Sequence, residues 1–148
     1  MSQTPTKPID LESLERLVIR LQEAISAYGS EPENLFYLDA VVKRFELTFE
    51  ISRKLLRRYL IDIDPENAKI PPEQLQEFIR LGTEQKMLRG SWTEWKQIRN
   101  ARNETVHGYR EEKAREIANM AAPMLAEALA LLESLKRRTS GDGDGNRD

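Results

Sequence analysis

Apolar residues recur at three- and four-residue steps along most of this chain, which is the spacing that places them on one face of an α-helix. The first such segment spans about residues 10–28. Its apolar face comprises Leu11, Leu14, Val18, Leu21, Ile25 and Tyr28. Asp10 can accept hydrogen bonds from the free N–H groups at the start of a helix, and Gly29 suits a left-handed stop at its end. The pattern therefore predicts a first helix between these two residues.

The second segment, from about residue 32 to residue 61, is the longest, and at 1.5 Å per residue it would measure about 45 Å. The residues of its main stripe are Leu38, Val41, Phe45, Phe49, Ser52, Leu56 and Tyr59. Leu47, Ile51 and Leu55 widen that stripe beyond what one neighbouring helix would cover. We therefore expect this helix to contact several others and to form the centre of a bundle.

Three further helices are predicted in the second half of the chain. A short third helix spans residues 72–81, with a proline near its start and Gly82 after its end. A fourth opens at Ser91, whose partner Glu94 completes the S-x-x-E capping box, and runs at least to Val106. A fifth covers residues 111–138, and Pro123 should bend it without ending it. Its inward-facing residues are Ala114, Ile117, Ala121, Leu125, Ala128, Leu132 and Leu135.

These elements predict an all-α protein, an up-and-down antiparallel bundle of four to five helices joined by short connections. Residues 1–9 are expected to form a flexible leader and residues 10–138 the bundle. Residues 139–148 are rich in Gly and Asp, so we expect them to form a disordered tail. The composition agrees with a helical domain, since 32% of the residues are charged and the chain has 7 Gly and 7 Pro.

Composition also limits the kinds of function. The chain has no cysteine, so disulfides and thiolate metal sites are excluded, and one histidine leaves a typical zinc ligand set incomplete. No apolar run approaches the roughly 20 residues that span a bilayer. Residues 1–8 lack the apolar core of a signal peptide. We therefore expect a cytoplasmic protein that uses neither a membrane, nor a metal, nor a cofactor.

Charge is unevenly distributed along the chain. The formal net charge of -2 argues against broad, non-specific binding of nucleic acid. Residues 86–110, however, carry a local charge of +4, with the cations Lys86, Arg89, Lys96, Arg99, Arg102 and Arg110. This stretch indicates either one positive site for a partner or a solvated helix face. A second basic group lies on the second helix and consists of Arg53, Lys54, Arg57 and Arg58. It either extends a surface for nucleic acid or forms a solvated face, and the solvated face is the favoured interpretation.

His107 is the only histidine, and histidine is the side chain that titrates near neutral pH without help from its surroundings. On a regular helix, one face directed inward or toward a partner chain would comprise Trp95, Ile98, Arg102, Thr105 and Tyr109. A second, polar face would comprise Lys96, Asn100, Asn103 and His107. Arg102 and His107 would lie about 140° apart and would flank a surface. By itself, an arginine five residues before a histidine is weak evidence of a catalytic site, because a lone histidine on a helix is usually a surface or capping residue.

A wider set of residues matches a known family. The stretch from Val42 to Leu60, VKRFELTFEISRKLLRRYL, resembles the second helix of the nucleotidyltransferase substrate-binding proteins, a branch of the HEPN family. The family pattern there is close to QRFE-x-TFE-x-x-WK-x-L-x-x-YL. RLG at residues 80–82, the pair Trp92 and Trp95, and R-N-x-T-x-H-x-Y at residues 102–109 then follow in the family's order. The resemblance covers residues 10–138, and its departures at residues 52–53 and 108 affect local packing only.

The resemblance implies a homodimer encoded beside a minimal nucleotidyltransferase (MNT). The branch includes toxins that cleave RNA without a metal ion, and their MNT partners act as antitoxins by transferring AMP to the motif tyrosine. Carried over to this chain, Arg102 and His107 would be catalytic and Asn103 would assist them. Tyr109 would be the modified residue. The nearby cations that would contact RNA are Arg99 and Lys96.

Three classes of function remain open at this point. The first is an endo- or exoribonuclease toxin, with tRNA among its candidate substrates, that is neutralised by an MNT antitoxin. The second is a non-catalytic subunit that presents a nucleotide or another substrate to a nucleotidyltransferase, and it shares all the sequence features of the first. The third is a structural helical dimer, which the clustering of polar Asn100, Asn103 and His107 beside a tryptophan-rich face disfavours. Of the two that remain, we predict the ribonuclease and keep the binding subunit as the alternative.

Overall fold

A computed structural model describes residues 8–105 and 110–145 of the chain, with side chains through residue 140. These residues form six α-helices and one 3-10 turn, and no strand occurs among them. The helices are α1 (Glu12–Ser30), α2 (Leu35–Ile63), α3 (Leu75–Glu84), α4 (Trp92–Glu104), α5 (Glu111–Ala118) and α6 (Ala121–Gly145), and the 3-10 turn spans Pro65–Lys69. The predicted all-α bundle is confirmed.

The central element is α2, which contacts each of the other five helices and the 3-10 turn. Its predicted stripe is buried throughout, from Leu38 to Tyr59, so its alternation of three- and four-residue steps builds the core. Leu47 does not widen the stripe, since its side chain is 40% exposed. It lies two residues, about 200° around the helix, from both Phe45 and Phe49, so it points away from the core that they enter.

Contacts between side chains define the directions of the helices. Arg44 Nη1 in α2 donates to the carbonyl of Arg20 in α1 at 2.8 Å. The two residues lie about equally far from the loop between their helices, so α1 and α2 are antiparallel. Lys136, in the second half of α6, pairs with Glu15 in the first turn of α1 at 2.6 Å. Because that contact joins a late part of α6 to the start of α1, these helices are antiparallel as well.

The final predicted helix is two helices, and the expectation that Pro123 only bends it is wrong. The chain turns at Asn119 and Met120, whose N–H groups donate to the carbonyls of Arg115 and Ile117. A proline ring clashes with the carbonyl four residues earlier, which here belongs to Asn119. The helix therefore ends at that position. Pro123 falls in the first turn of α6, where a missing N–H removes no helical hydrogen bond.

The far end of α6 also differs from expectation, because the helix continues to Gly145, into the segment from Thr139 that was predicted to be disordered. Arg138 ties this end to the bundle through hydrogen bonds to the side chain and the carbonyl of Gln85 and to the Tyr59 hydroxyl. Thr139 Oγ1 then bonds the Leu135 carbonyl at 2.6 Å. Helix nucleation is the costly step, and it is already complete in the turn that Arg138 anchors. Residues 139–145 can therefore extend the helix although several of them are weak helix formers.

Two glycines predicted to lie beyond helix ends lie within helices. Gly29 belongs to α1, which ends at Ser30, with the N–H of Glu31 capping the carbonyls of the last turn. Gly82 is buried inside α3. A Cβ atom at position 82 would lie 3.0 Å from Leu88 Cδ1 and 3.1 Å from Leu56 Cδ1. Glycine at this position therefore serves close packing of α3 against α2, not a left-handed turn.

Among the described residues, no helix has both the length and the apolar character that crossing a lipid bilayer requires.

Candidate nucleic-acid interface on α4

The start of α4 is fixed by its own cap and by α6. The predicted capping box is present, since the backbone N–H of Ser91 donates to Glu94 Oε1 at 2.7 Å. Glu127, a buried carboxylate of α6, accepts from the indole Nε1 of Trp95 at 3.1 Å and from the backbone N–H of Arg89 at 2.9 Å. These bonds set the position of α4 along the bundle, and hence the position of the motif that follows.

The end of α4 is tied to α2. Thr105 caps the helix, and its hydroxyl contacts Glu46 Oε2 at 3.1 Å and the Arg102 carbonyl at 2.7 Å. The helix therefore ends at Glu104, before the predicted minimum end at Val106. Across the following segment, Glu104 pairs with Lys113 of α5 at 3.7 Å.

Two predicted site residues, His107 and Tyr109, lie outside the described residues, as do Val106 and Gly108. In the chain they fall between Thr105 at the end of α4 and Arg110 before α5. Their predicted roles stay predictions. The other four predicted site residues, Lys96, Arg99, Arg102 and Asn103, all lie on α4.

An open cleft of about 440 Å³ lies beside α4. Three predicted site residues, Arg99, Arg102 and Asn103, line it together, although Arg102 and Asn103 were predicted to lie on different faces of the helix. The rest of the lining comes from Phe49, Glu50 and Arg53 of α2, from Pro72 and Glu73 before α3, and from Leu75 at its start. The cleft therefore joins the α4 motif to two other helices.

The guanidinium of Arg102 is constrained from two directions. Its Nη2 pairs with Glu50 Oε2, and its carbon lies 5.9 Å from the centroid of the Phe49 ring. Both partners of the ion pair are largely covered, with 30% of the Arg102 side chain and 24% of the Glu50 side chain exposed. The arginine is therefore partly exposed to the cleft but held against its wall.

Glu50 connects two arginines through its two oxygens. Its Oε1 pairs with Arg53 Nη2 at 2.9 Å, while its Oε2 pairs with Arg102. Burial raises the pKa of the Glu50 carboxyl, but the hydrogen bond from Arg53 and the charges of Arg53, Arg102 and Lys54 outweigh burial, so the net pKa is lowered. The carboxylate is therefore charged at neutral pH, and the three groups Arg53, Glu50 and Arg102 together carry a charge of +1.

The remaining predicted residues differ in their surroundings. Arg99 stacks over the Trp92 ring, 5.2 Å from its centroid, and its Nε donates to Asn100 Oδ1 at 3.2 Å. Asn103 is exposed and belongs to the cleft. Lys96 is exposed and is not part of the cleft lining. Asn100 is exposed and lines a second depression on the α5 side of α4, whereas Asn103 lines the cleft.

Two residues of the cleft on α2 differ from the sequence analysis. Glu50 was given no role, and Arg53, for which a solvated face was favoured over a surface for nucleic acid, is half-buried and lines the cleft. Glu50 does fall within the TFE part of the family pattern, at residues 48–50. That pattern could have marked the position, although it does not say which cation the carboxylate pairs with.

The helical bundle and the R-N-x-T-x-H-x-Y motif at residues 102–109 indicate one class of protein, and comparison with known sequences identifies the same class. A family model described as "Nucleotidyltransferase substrate binding protein like" matches residues 9–137. The chain therefore belongs to this family, a branch of the HEPN proteins, as its motifs predicted.

One relative carries a name that is more specific than the family description. The chain is 29% identical over 136 residues to a protein of Haemophilus influenzae named "Probable ribonuclease HepT". The match covers 88% of this chain and 89% of that protein. No solved structure gives a significant match.

Proposed function

We propose that this protein is a metal-independent ribonuclease toxin whose site is built around Arg102, Asn103 and His107. The observation that carries the proposal is the cleft in which Arg102 is held against α2 with Asn103 beside it. A planar guanidinium matches the oxygens of a phosphate diester, and cations lining a cleft attract a polyanion. The name of the relative, a probable ribonuclease, supports the same activity.

The proposed reaction is an internal transfer at an RNA phosphate. His107 takes the proton of a ribose 2′-hydroxyl, the 2′-oxygen attacks phosphorus, and the bond to the 5′-oxygen breaks. A second imidazole protonates the departing 5′-oxygen. Arg102 and Asn103 donate hydrogen bonds to the phosphate oxygens as negative charge develops on them. The product is a 2′,3′-cyclic phosphate, which one water molecule opens to a monophosphate.

The two proton transfers argue for a homodimer. The chain has one histidine, and one imidazole cannot act as base and acid at the same moment. Two copies of the chain would bring two imidazoles and two guanidinium groups to one RNA strand. Arg99 and Lys96, which precede the motif on α4, would contact neighbouring phosphates. Transfer RNA is one candidate substrate.

Purified protein incubated with total RNA tests the activity. We expect cleavage that leaves 2′,3′-cyclic or monophosphate ends, that persists in EDTA, and that is lost in His107→Ala. Expression of the wild-type chain should arrest growth, and His107→Ala should relieve the arrest. Lys136→Ala is a suitable control, because Lys136 pairs with Glu15 of α1, away from α4. Cleavage abolished by EDTA, or equal cleavage by His107→Ala, would contradict the proposal.

We further propose that an MNT antitoxin neutralises the toxin by transferring AMP to Tyr109. The phenolic oxygen would attack the α-phosphorus of ATP, pyrophosphate would leave, and the phenol proton would pass to solvent. Tyr109 is two residues from His107, so a bulky anion on it would compete with RNA for the same cations. Intact-mass measurement after co-expression with an MNT protein should detect added AMP, and Tyr109→Phe should abolish it. An unmodified wild-type chain would count against this step.

The family description favours one other function, a non-catalytic subunit that presents a nucleotide to a nucleotidyltransferase. The cleft of about 440 Å³ is within the usual size range of small-ligand sites. Titration with ATP and AMP, read by calorimetry, separates the two functions. Tight nucleotide binding without any cleavage of RNA would select the binding subunit, whereas cleavage lost in His107→Ala would select the ribonuclease.

A further inference from the structure

The cleft contains two carboxylates, those of Glu50 and Glu73, at a place where a phosphate-binding site would be expected to hold only cations. Glu50 lies on the α2 wall, and its Oε2 pairs with Nη2 of Arg102 across the helix interface. By itself, a negative charge in this position would weaken RNA binding. The contacts around Glu50 indicate a structural role for this carboxylate.

Consecutive residues of one helix restrain the guanidinium in two ways. The Arg102 guanidinium carbon lies over the Phe49 ring, 5.9 Å from its centroid, and Glu50 Oε2 pairs with Arg102 Nη2. The ring covers the guanidinium on one side, and the carboxylate limits the movement of the amino group that it binds. Both contacts come from adjacent residues of α2, the longest of the described helices.

Arg53 makes this restraint compatible with binding an anion. Its Nη2 pairs with Glu50 Oε1 at 2.9 Å, so the carboxylate is shared between two arginines and the group retains a charge of +1. The lowered pKa of Glu50 keeps the carboxylate charged at neutral pH. A phosphate approaching Arg102 therefore still meets a positive site, whose geometry is already set.

We infer that Glu50 is a positioning residue, which holds the Arg102 guanidinium in the orientation that receives an RNA phosphate. The inference rests on the proposed ribonuclease function. In this arrangement Glu50 engages one amino group of Arg102, and the other amino group, Nη1, donates to a phosphate oxygen. Arg53 holds Glu50 in turn, so the chain of contacts runs from Arg53 through Glu50 to Arg102.

The chain offers a matched control for this inference. Glu46 lies one turn before Glu50 on α2, carries the same charge, and also contacts α4, through the hydroxyl of Thr105 at 3.1 Å. The two glutamates differ in their partner on α4 and in whether they line the cleft. Glu46→Gln and Glu50→Gln therefore remove the same charge, and each weakens one contact between α2 and α4, but only Glu50→Gln changes a partner of the Arg102 guanidinium.

Kinetics on a defined RNA provides the first test. We expect Glu50→Gln to lower kcat about tenfold and Glu50→Ala about 100-fold, because small errors in the placement of a catalytic group have effects of this order. KM should not rise in either variant, since removing a negative charge favours binding of a polyanion. Glu46→Gln should keep kcat close to the wild-type value. An unchanged kcat in Glu50→Ala overturns the inference, and an increase would show that Glu50 competes with RNA for Arg102.

A second measurement does not depend on catalysis. Arg102 Nε is buried, which slows exchange of its proton with water and favours observation of the Nε–H signal by NMR. The signal is assigned by its absence in Arg102→Lys. It should shift in Glu50→Gln and stay in place in Glu46→Gln. An Nε–H signal that does not move in Glu50→Gln overturns the inference. If the signal does move in Glu50→Gln but the wild-type protein cleaves no RNA, the ribonuclease function is refuted and the contact between Glu50 and Arg102 still stands.

Discussion

Arg102 and Glu50 form a pair that depends on the surroundings of both side chains. Each is largely covered by protein, which reduces the screening of their charges by water. Most ion pairs on the helices of this chain join residues three or four positions apart at exposed sites, and such pairs contribute little to stability. The Arg102 pair instead joins α4 to α2, so it affects both the stability of the fold and the geometry of the cleft.

The pH dependence of stability should reveal the charge on Glu50. Its pKa is lower in the folded protein than in the unfolded chain, so the unfolded chain binds more protons as the pH falls. The stability that Glu50 contributes is therefore fully present above its unfolded pKa, about 4.3, and is lost as the pH falls through the lower folded value.

The free energy of unfolding in urea, measured for the wild type and for Glu50→Gln, checks this expectation. The wild type should be the more stable of the two at pH 7, and the difference should shrink as the pH falls below about 4.3. Gln cannot titrate, so it lacks this contribution at every pH. A difference that stays constant down to the acid limit of folding would show that Glu50 acts through its shape and not through its charge.

Local sequence predicted the helix that carries one wall of the cleft, but not which of its residues line that wall. The predicted faces separated Arg102 from Asn103, whereas both line the cleft with Arg99, which lies three and four positions before them. Glu50 and Arg53 could not be predicted in the same way, because no spacing rule pairs residues of two distant helices. A basic residue on a long helix is usually solvated, and Arg53 departs from that rule only because α4 packs beside it.

Among the helices, α4 depends most on partners from outside itself. Its sequence is polar, and only Trp95 and Ile98 among its residues are buried. Glu127 of α6 holds its first turns by accepting two hydrogen bonds on one oxygen, Oε1, from Trp95 Nε1 and from the backbone N–H of Arg89. The position of the motif is therefore set partly by a residue of a different helix.

Replacing Glu127 should show how much this anchor contributes. Glu127→Ala leaves the buried indole N–H of Trp95 and the partly buried backbone N–H of Arg89 without this acceptor, and should lower the free energy of unfolding by about 2–3 kcal/mol. Glu127→Gln keeps an oxygen at the position of Oε1 and should lose less than about 1 kcal/mol. Chemical denaturation measures both values. Equal losses in the two variants would show that the negative charge, and not the acceptor, holds α4.

The split between α5 and α6 could have been predicted from Pro123. Its ring excludes a helical carbonyl at Asn119, and the apolar pattern that continues past the proline does not remove that clash. The pattern was correct about which residues face the core, since Ala114, Ile117 and Ala128 are all buried. Periodicity reports the buried face of a segment, but it does not report whether the backbone is continuous.

Across the bundle, α2 brings the parts of the cleft together. It contacts every other helix, so residues on its different sides meet α1, α6 and α4 at once. The formal net charge of -2 gives no sign of a cleft lined by several cations, whereas the arginines at positions 53, 99 and 102 converge in one cleft from two helices. Local concentration of charge therefore depends on the packing of α4 against α2.

The amino-acid sequence determined the fold class, the faces of the helices and the family, because these depend on short-range periodicity and on motifs that survive as strings of residues. It also placed Lys96, Arg99, Arg102 and Asn103 on one helix. Only the tertiary structure decided that Arg99, Arg102 and Asn103 line a cleft with Glu50 and Arg53, and that Glu127 anchors α4. These outcomes depend on contacts between residues far apart in the chain, and such contacts are set by how whole helices pack.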